Sequence, residues 1–297
     1  MNRRDGHPPE PDALEPRARA LARDLIERYD LPVDPRRLRA SGPRGDTLAA
    51  PRVDPLAEGS WLLFKGLGPR RAGWLDRAAA LREMSVSQGL AQQGANAAQA
   101  LRMLRLTSAD LAGLEPGPPD RPRDAAAVWA PQRHKAVVLL SAVRSPIRVS
   151  ELESGSGSDA RGSYPAGTDG DAATAAGLPW LVRLIDVLGN SILRYQACGG
   201  VHHDLQPQRV TLAGELVDLE ALHLPGVPAP SHDSPAQRPA QAQALEAFAF
   251  LDILDRLSRY QGLPCTREDL ARLAAGRLLA GQPARNGFAR QLASLAG

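Results

Sequence analysis

The 297 residues carry 36 Lys and Arg against 33 Asp and Glu, a formal net charge of +3, with 43% apolar and 4% aromatic side chains. That length can bury a core in one large domain or two lobes, and a charged fraction of 23% is too ordinary for wholesale disorder. Two cysteines, Cys198 and Cys265, exclude a disulfide framework, no Cys/His spacing reads as a zinc site, and no apolar run approaches the roughly 20 residues of a membrane span.

The opening MNRRDGHPPEPDALEPR has no signal-peptide apolar stretch, so a reducing cytoplasm is the expected compartment, with no membrane partner. Among the cations only Lys65 and Lys135 are Lys; Arg is spread along the chain without a basic stripe. With so few aromatic residues, no nucleic-acid partner is expected.

After a Pro-rich tail, ALEPRARALARDLIERY (13–29) has helical apolar spacing. Residues 30–59, rich in Pro, Gly and Arg, read as irregular with at most a short strand. GSWLLFKGLG (59–68) reads as a buried strand ending in a glycine turn. Residues 72–94 read as helix, 95–106 as a second helix, and TSADLAGL (107–114) as a capped third. KAVVLLSAV (135–143) is a strand that RSPIRVSELE (144–153) can continue. The Gly/Ser/Asp stretch 154–177 reads as an exposed linker. LPWLVRLIDVLGNSILRYQAC (178–198) is a long apolar helix, and VTLAGELVDLE (210–220) a small hairpin turning at Ala213-Gly214. The end is helical, with Thr266 and Asp269 placed for a capped start. This order predicts an α+β fold of two unequal lobes.

The chemistry concentrates in GGVHHDLQPQRVTLAGELVDLE (199–220), where two aspartates, Asp204 and Asp218, flank the hairpin. HHDLQPQR resembles the H-x-D-L-x-x-x-N catalytic loop of protein-kinase-like enzymes, which places Asp204 on the catalytic aspartate and Asp218 on the metal-binding aspartate. One carboxylate would accept a hydroxyl proton, and the other would hold a metal against nucleotide phosphates. Lys65, at the end of its strand, offers a compact charge for phosphate oxygens, and Glu83 on the following helix is placed to orient it. Gly66 and Gly68 permit close backbone approach to a phosphate. The adjacent His202 and His203 read as loop packing, and Cys198 and Cys265 as small apolar residues.

Three blocks resemble the selenoprotein O family of kinase-like protein adenylyltransferases. KGLGPRRAG…LRE resembles that family's KGAG…P…IRE. AVVLLSAVRSPIRVSELE resembles its AVL-R-VAPSH-R-FG-FE pair, with Arg148 on the phosphate-contacting arginine. The Arg209–Asp218 interval matches its gap between loop Asn and metal Asp. The blocks cover about a quarter of the chain. The resemblance implies a bilobal protein-kinase-like fold with a small mixed N-lobe (40–153, after a tail and helix at 1–39) and a mainly helical C-lobe (178–297). It also implies ATP, Mg2+ or Mn2+, and transfer of AMP to hydroxyls of a protein or peptide acceptor.

The chain departs from both patterns. Arg209 stands where the metal-binding Asn would be, and Arg has donors only. Gln208 stands where selenoprotein O carries its assigned base, whereas Asp204 occupies the ordinary kinase position. Three readings follow: an adenylylating enzyme, a phosphotransferase using Asp204 as base, and a degenerate nucleotide-binding or scaffold protein. Arg209 is expected to meet the phosphates if the protein is active, and to pair with Asp204 or Asp218 and block the metal site if it is degenerate.

Overall fold

A computed structural model describes residues 14–41, 47–54, 60–67, 75–114, 136–152, 177–228, 239–280 and 285–297. The run WLLFK forms β3 (Trp61–Lys65), the centre of a five-stranded antiparallel sheet. Its neighbours are β1 (Arg39–Ser41), β2 (Thr47–Pro51), β4 (Gln99–Arg105) and β5 (Val137–Val143), in the order β1-β2-β3-β5-β4. Successive side chains of a strand point to opposite faces. Leu62 and Phe64 therefore turn to one side, where they join Leu48, Val138 and Leu140 beneath Leu21, Ala22, Leu25 and Ile26 of α1 (Leu14–Arg28). Trp61 and Leu63 turn to the other side and cluster with Ala49, Val143 and Val217. Lys65 shares the parity of Trp61 and Leu63, so the alternation aims it at the second face.

Two expectations for this lobe are corrected. The predicted helix over 95–106 is instead β4, whose Gln99 to Arg105 pair with Ala142 to Val137 of β5 around a bulge at Leu101. Ala, Gln, Arg, Met and Leu are good helix formers, but intrinsic propensity is worth only about a few tenths of a kcal/mol per residue, and hydrogen bonds offered by an open sheet edge override it. Second, β5 ends at Val143 rather than running on through 144–153. The Glu215 carboxylate there accepts from the backbone N–H of Arg144 at 2.9 Å and from that of Ser145 at 3.4 Å, and the chain turns into a 3-10 segment at Val149–Glu151. Residues 30–59 hold more sheet than the sequence suggests, because β2 is short, Ala-rich and ends in Pro51.

α2 (Arg77–Gln92) starts at Asp76, whose carboxylate accepts from the N–H of Ala79 at 2.7 Å. It buries Ala80, Glu83, Val86, Ser87 and Leu90, one face at 3.6-residue period. Val86 and Leu90 continue into the core of the second lobe, so α2 ties the two together. α3 (Ser108–Leu114) sits beside α1. The second lobe is built on α4 (Gly177–Ala197), α5 (Pro239–Tyr260), α6 (Arg267–Leu278) and α7 (Gly287–Leu295). Gly189 lets α4 and α6 approach, since a Cβ there would lie 2.3 Å from Cδ1 of Leu278. The predicted cap of α6 is present: Thr266 Oγ1 accepts from Asp269 N–H at 3.1 Å, and the Asp269 carboxylate accepts from Thr266 N–H at 3.0 Å. Between α4 and α5 lie β6 (Val201–His202), paired with β7 (Leu222–His223), and the expected turn. Val210 bridges Leu216, and Gly214 takes φ +74°, which glycine adopts without strain. The architecture is α+β, with a small sheet-based lobe and a mainly helical one. The linker expected at 154–177 lies outside the described residues except for Gly177, which opens α4. No described helix is long and apolar enough to cross a membrane.

Candidate functional site

Strand alternation carries Lys65 into the space between the lobes. Glu83 is the charged member of the buried face of α2, and it meets Lys65: Nζ donates to Oε2 at 2.7 Å. From the other lobe, the turn at 210–216 delivers Asp218, whose Oδ1 lies 3.2 Å from the same Nζ. Asp218 has φ +53°, a left-handed conformation that a non-glycine residue holds only when its surroundings fix it. Its carboxylate is gripped by Arg148, buried on the segment after β5, whose Nη1 pairs with Asp218 Oδ2 and also donates to the carbonyl of Gln208 at 2.8 Å.

Arg209 closes the opposite side. Its Nη2 lies 2.7 Å from Asp204 Oδ2, and its Nη1 donates to the Asp218 carbonyl at 2.7 Å and to Glu220 Oε1 at 3.0 Å. The other oxygen of Glu220 accepts from Lys65 at 2.6 Å. Lys65, Glu83, Arg148, Asp204, Arg209 and Asp218 thus come together in one ionic network. Gly66 follows Lys65 at φ +98°, and a Cβ there would stand 2.6 Å from the Val137 carbonyl. Packing on β5 therefore accounts for this glycine. Gly68 lies outside the described residues.

Burial is the largest influence on Lys65, Glu83, Arg209 and Asp218, and their partners decide which way each group goes. Burial alone would lower the Lys65 ammonium, but Glu83, then Asp218 and Glu220, hold its pKa well above the usual value. Burial likewise opposes an ionised Asp218, yet Arg148, Lys65 and Arg209 keep its carboxyl well below the usual range. Glu83 moves upward, because burial and the nearby Glu220 and Asp218 outweigh Lys65. Arg209 is held up by Glu220, Asp204 and Asp218 against burial.

The loop itself is anchored from below. Glu246 on α5 accepts from Tyr195 Oη at 2.8 Å, from Gln196 Nε2 at 2.6 Å and from the backbone N–H of His202. His202 is buried, and its Nδ1 accepts from the Asp204 N–H at 3.3 Å. Burial, then Arg209 and His203, push the imidazole down to about 3, so it stays neutral and packs the loop as expected.

Glu220, Arg82 and Glu215 are neighbours of this network that the sequence reading missed. Arg82, one residue before Glu83, donates to the carbonyls of Glu220 and Leu222 at 2.7 Å each and of Pro228 at 2.9 Å. It pins the segment after Asp218 to α2. The available signals were an acid two residues beyond Asp218 in VDLE and an Arg beside the motif Glu in LRE.

Oxygen donors of Glu83, Asp218 and Glu220 lie within 4.8 Å of one another, a set that suits a hard divalent cation such as magnesium. Lys65 Nζ contacts all three, so a metal would compete with an ammonium already in place.

No protein-family model matches the chain, and no curated protein matches its sequence. Among solved structures, a Stt7 homolog from Micromonas algae, crystallised and soaked with ATP, matches over 84% of this chain and 78% of its own. Identity is 17% and the TM-score 0.40. The likeness to selenoprotein O is therefore carried by the quoted residues alone.

Proposed function

We propose that the chain is a kinase-like ATP-dependent transferase that binds the phosphate chain of ATP between Lys65 and Asp218 and adenylylates hydroxyl groups of a protein or peptide. The observation that carries this reading is the triad of Lys65, Glu83 and Asp218, drawn from a strand, a helix and the opposite lobe to within 3.2 Å of one ammonium. Lys65 supplies a phosphate-binding charge, and Glu83 orients it. Arg148 and Arg209 offer fork-shaped donors suited to phosphate oxygens. Asp218 would anchor magnesium, whose role is to neutralise the developing charge. Asp204, the aspartate of HHDL, would accept the hydroxyl proton, as its resemblance to the kinase-like loop implies. Transfer of AMP rather than of the terminal phosphate rests on the family resemblance around Lys65 and Arg148.

A second reading, ATP binding without transfer, is favoured by one observation: Arg209 occupies Asp204. ATP labelled at the α- or the γ-phosphate, incubated with the full chain and candidate acceptor proteins, separates the cases. Transferred α-label is the expected result. Transferred γ-label identifies a phosphotransferase, and ATP binding with neither label transferred leaves the non-catalytic reading.

A further inference from the structure

The two oxygens of the Glu220 carboxylate are divided between two cations: Oε2 accepts from Lys65 at 2.6 Å and Oε1 from Arg209 at 3.0 Å. Those cations come from different lobes, Lys65 from β3 and Arg209 from the loop after β6. One carboxylate thus bridges the cleft as two oxygens of a phosphoryl group would. From the geometry we infer that Lys65 and Arg209 form a two-cation site for phosphoryl oxygens, that the Glu220 side chain occupies it as an internal anion, and that a polyphosphate must displace Glu220 to enter.

Donor bookkeeping supports this. Of the three N–H groups of the Lys65 ammonium, one is donated to Glu83 and one to Glu220, and Asp218 stands beside it as an ion pair at 3.2 Å. The donor that Glu220 holds is the one that faces Arg209 across the cleft. Glu83 is buried on α2, and Asp218 is clamped by Arg148. Glu220 is the most exposed acid of the network, with its side chain 47% accessible, against 5% for Glu83 and 25% for Asp218. Its backbone cannot follow it out, because Arg82 holds the Glu220 carbonyl at 2.7 Å. Rotation of the side chain alone frees one N–H on Lys65 and one on Arg209, aimed at the same place. A phosphoryl group carries more charge on more oxygens than a carboxylate, so the exchange favours the incoming anion. Affinity is reduced by the fraction of time Glu220 fills the site.

The inference rests on the phosphate-binding reading of Lys65, and the test keeps the two separable. Calorimetric titrations use the full chain in EDTA with inorganic tripolyphosphate and, separately, with ATP. Parent, Glu220→Gln and Glu220→Ala are compared, with thermal melts to confirm that each is folded. The expected result is roughly tenfold tighter tripolyphosphate binding in both variants. Unchanged or weaker binding in both overturns the inference, because Glu220 then supports the anion or stands apart from it. Tighter tripolyphosphate without any ATP binding sustains the inference and sinks the nucleotide reading. ATP binding that both variants leave unimproved does the reverse. Absence of binding by all three proteins removes both.

Discussion

Arg209 holds Asp204 through two nitrogens aimed at one oxygen, with Nε at 3.0 Å and Nη2 at 2.7 Å from Oδ2. The other oxygen accepts from Gln206 Nε2. Both oxygens of Asp204 therefore accept hydrogen bonds, and the Arg209 cation beside it makes the carboxylate a weaker proton acceptor. On the proposed reading, phosphates that draw Arg209 away would make Asp204 a better base, linking ATP binding to proton transfer.

Arg209→Ala removes a phosphate donor and leaves Asp204 and Glu220 as uncompensated acids. ATP affinity is expected to fall about tenfold, the size of one lost hydrogen bond to a charged group. Arg209→Asn loses the same charge but adds a carbonyl acceptor, so magnesium should improve its ATP binding more than that of Arg209→Ala. Calorimetry with and without magnesium reads both effects, and identical binding in parent and variants would remove Arg209 from the site.

Lys65→Met leaves Glu83, Asp218 and Glu220 facing one another without their shared cation. Breaking a buried ion pair from one side costs about 3–5 kcal/mol. The loss should be larger at pH 8 than at pH 5: Glu83, already pushed upward, takes up a proton as pH falls and relieves the repulsion. Urea denaturation at the two pH values measures it, and a pH-independent loss would argue against the clustering of these carboxylates.

Arg82→Ala removes four hydrogen bonds between α2 and the segment after Asp218, the one to the Leu219 carbonyl being long at 3.5 Å. At about 1 kcal/mol each, stability should drop by about 2–3 kcal/mol. Amide exchange at residues 219–222 should accelerate more than in the core of α4. Uniform acceleration would mean that Arg82 supports the whole fold rather than this segment.

Glu246 predicts a pH slope. Burial raises its carboxyl to about 8, against hydrogen bonds from Gln196, Tyr195 and the His202 amide. The unfolded chain releases that proton near 4.5, so the folded state binds more protons between about 4.5 and 8, and stability falls as pH rises through this window. Glu246→Gln should remove this part of the slope. Denaturant unfolding of both proteins at pH 5, 7 and 9 decides it, and parallel curves would contradict the assignment.

Lys65 was legible as a rare Lys at the end of an apolar strand, with Glu83 on the next helix; Asp204, Arg209 and Asp218 were legible through the resemblance of HHDLQPQR to a kinase-like loop, and Arg148 through the resemblance to selenoprotein O. The structure brings all six into one ionic network. The strand β4 was not legible, because its residues suit a helix and only the waiting edge of β5, more than thirty residues on, makes them a strand. Glu220 and Arg82 were missed for a related reason. Arg82 meets carbonyls of the opposite lobe and Glu220 is shared between Lys65 of the opposite lobe and Arg209 of its own, and nothing local distinguishes them from the acids and arginines of a solvated surface.

The most direct test of the account is a titration of ATP and magnesium into the full chain, compared with Lys65→Met and Asp218→Asn. The account predicts saturable ATP binding by the parent, much weaker binding by Lys65→Met, and loss of the magnesium dependence in Asp218→Asn. ATP binding that neither substitution alters, or no binding by the folded parent, would contradict a nucleotide site between Lys65 and Asp218.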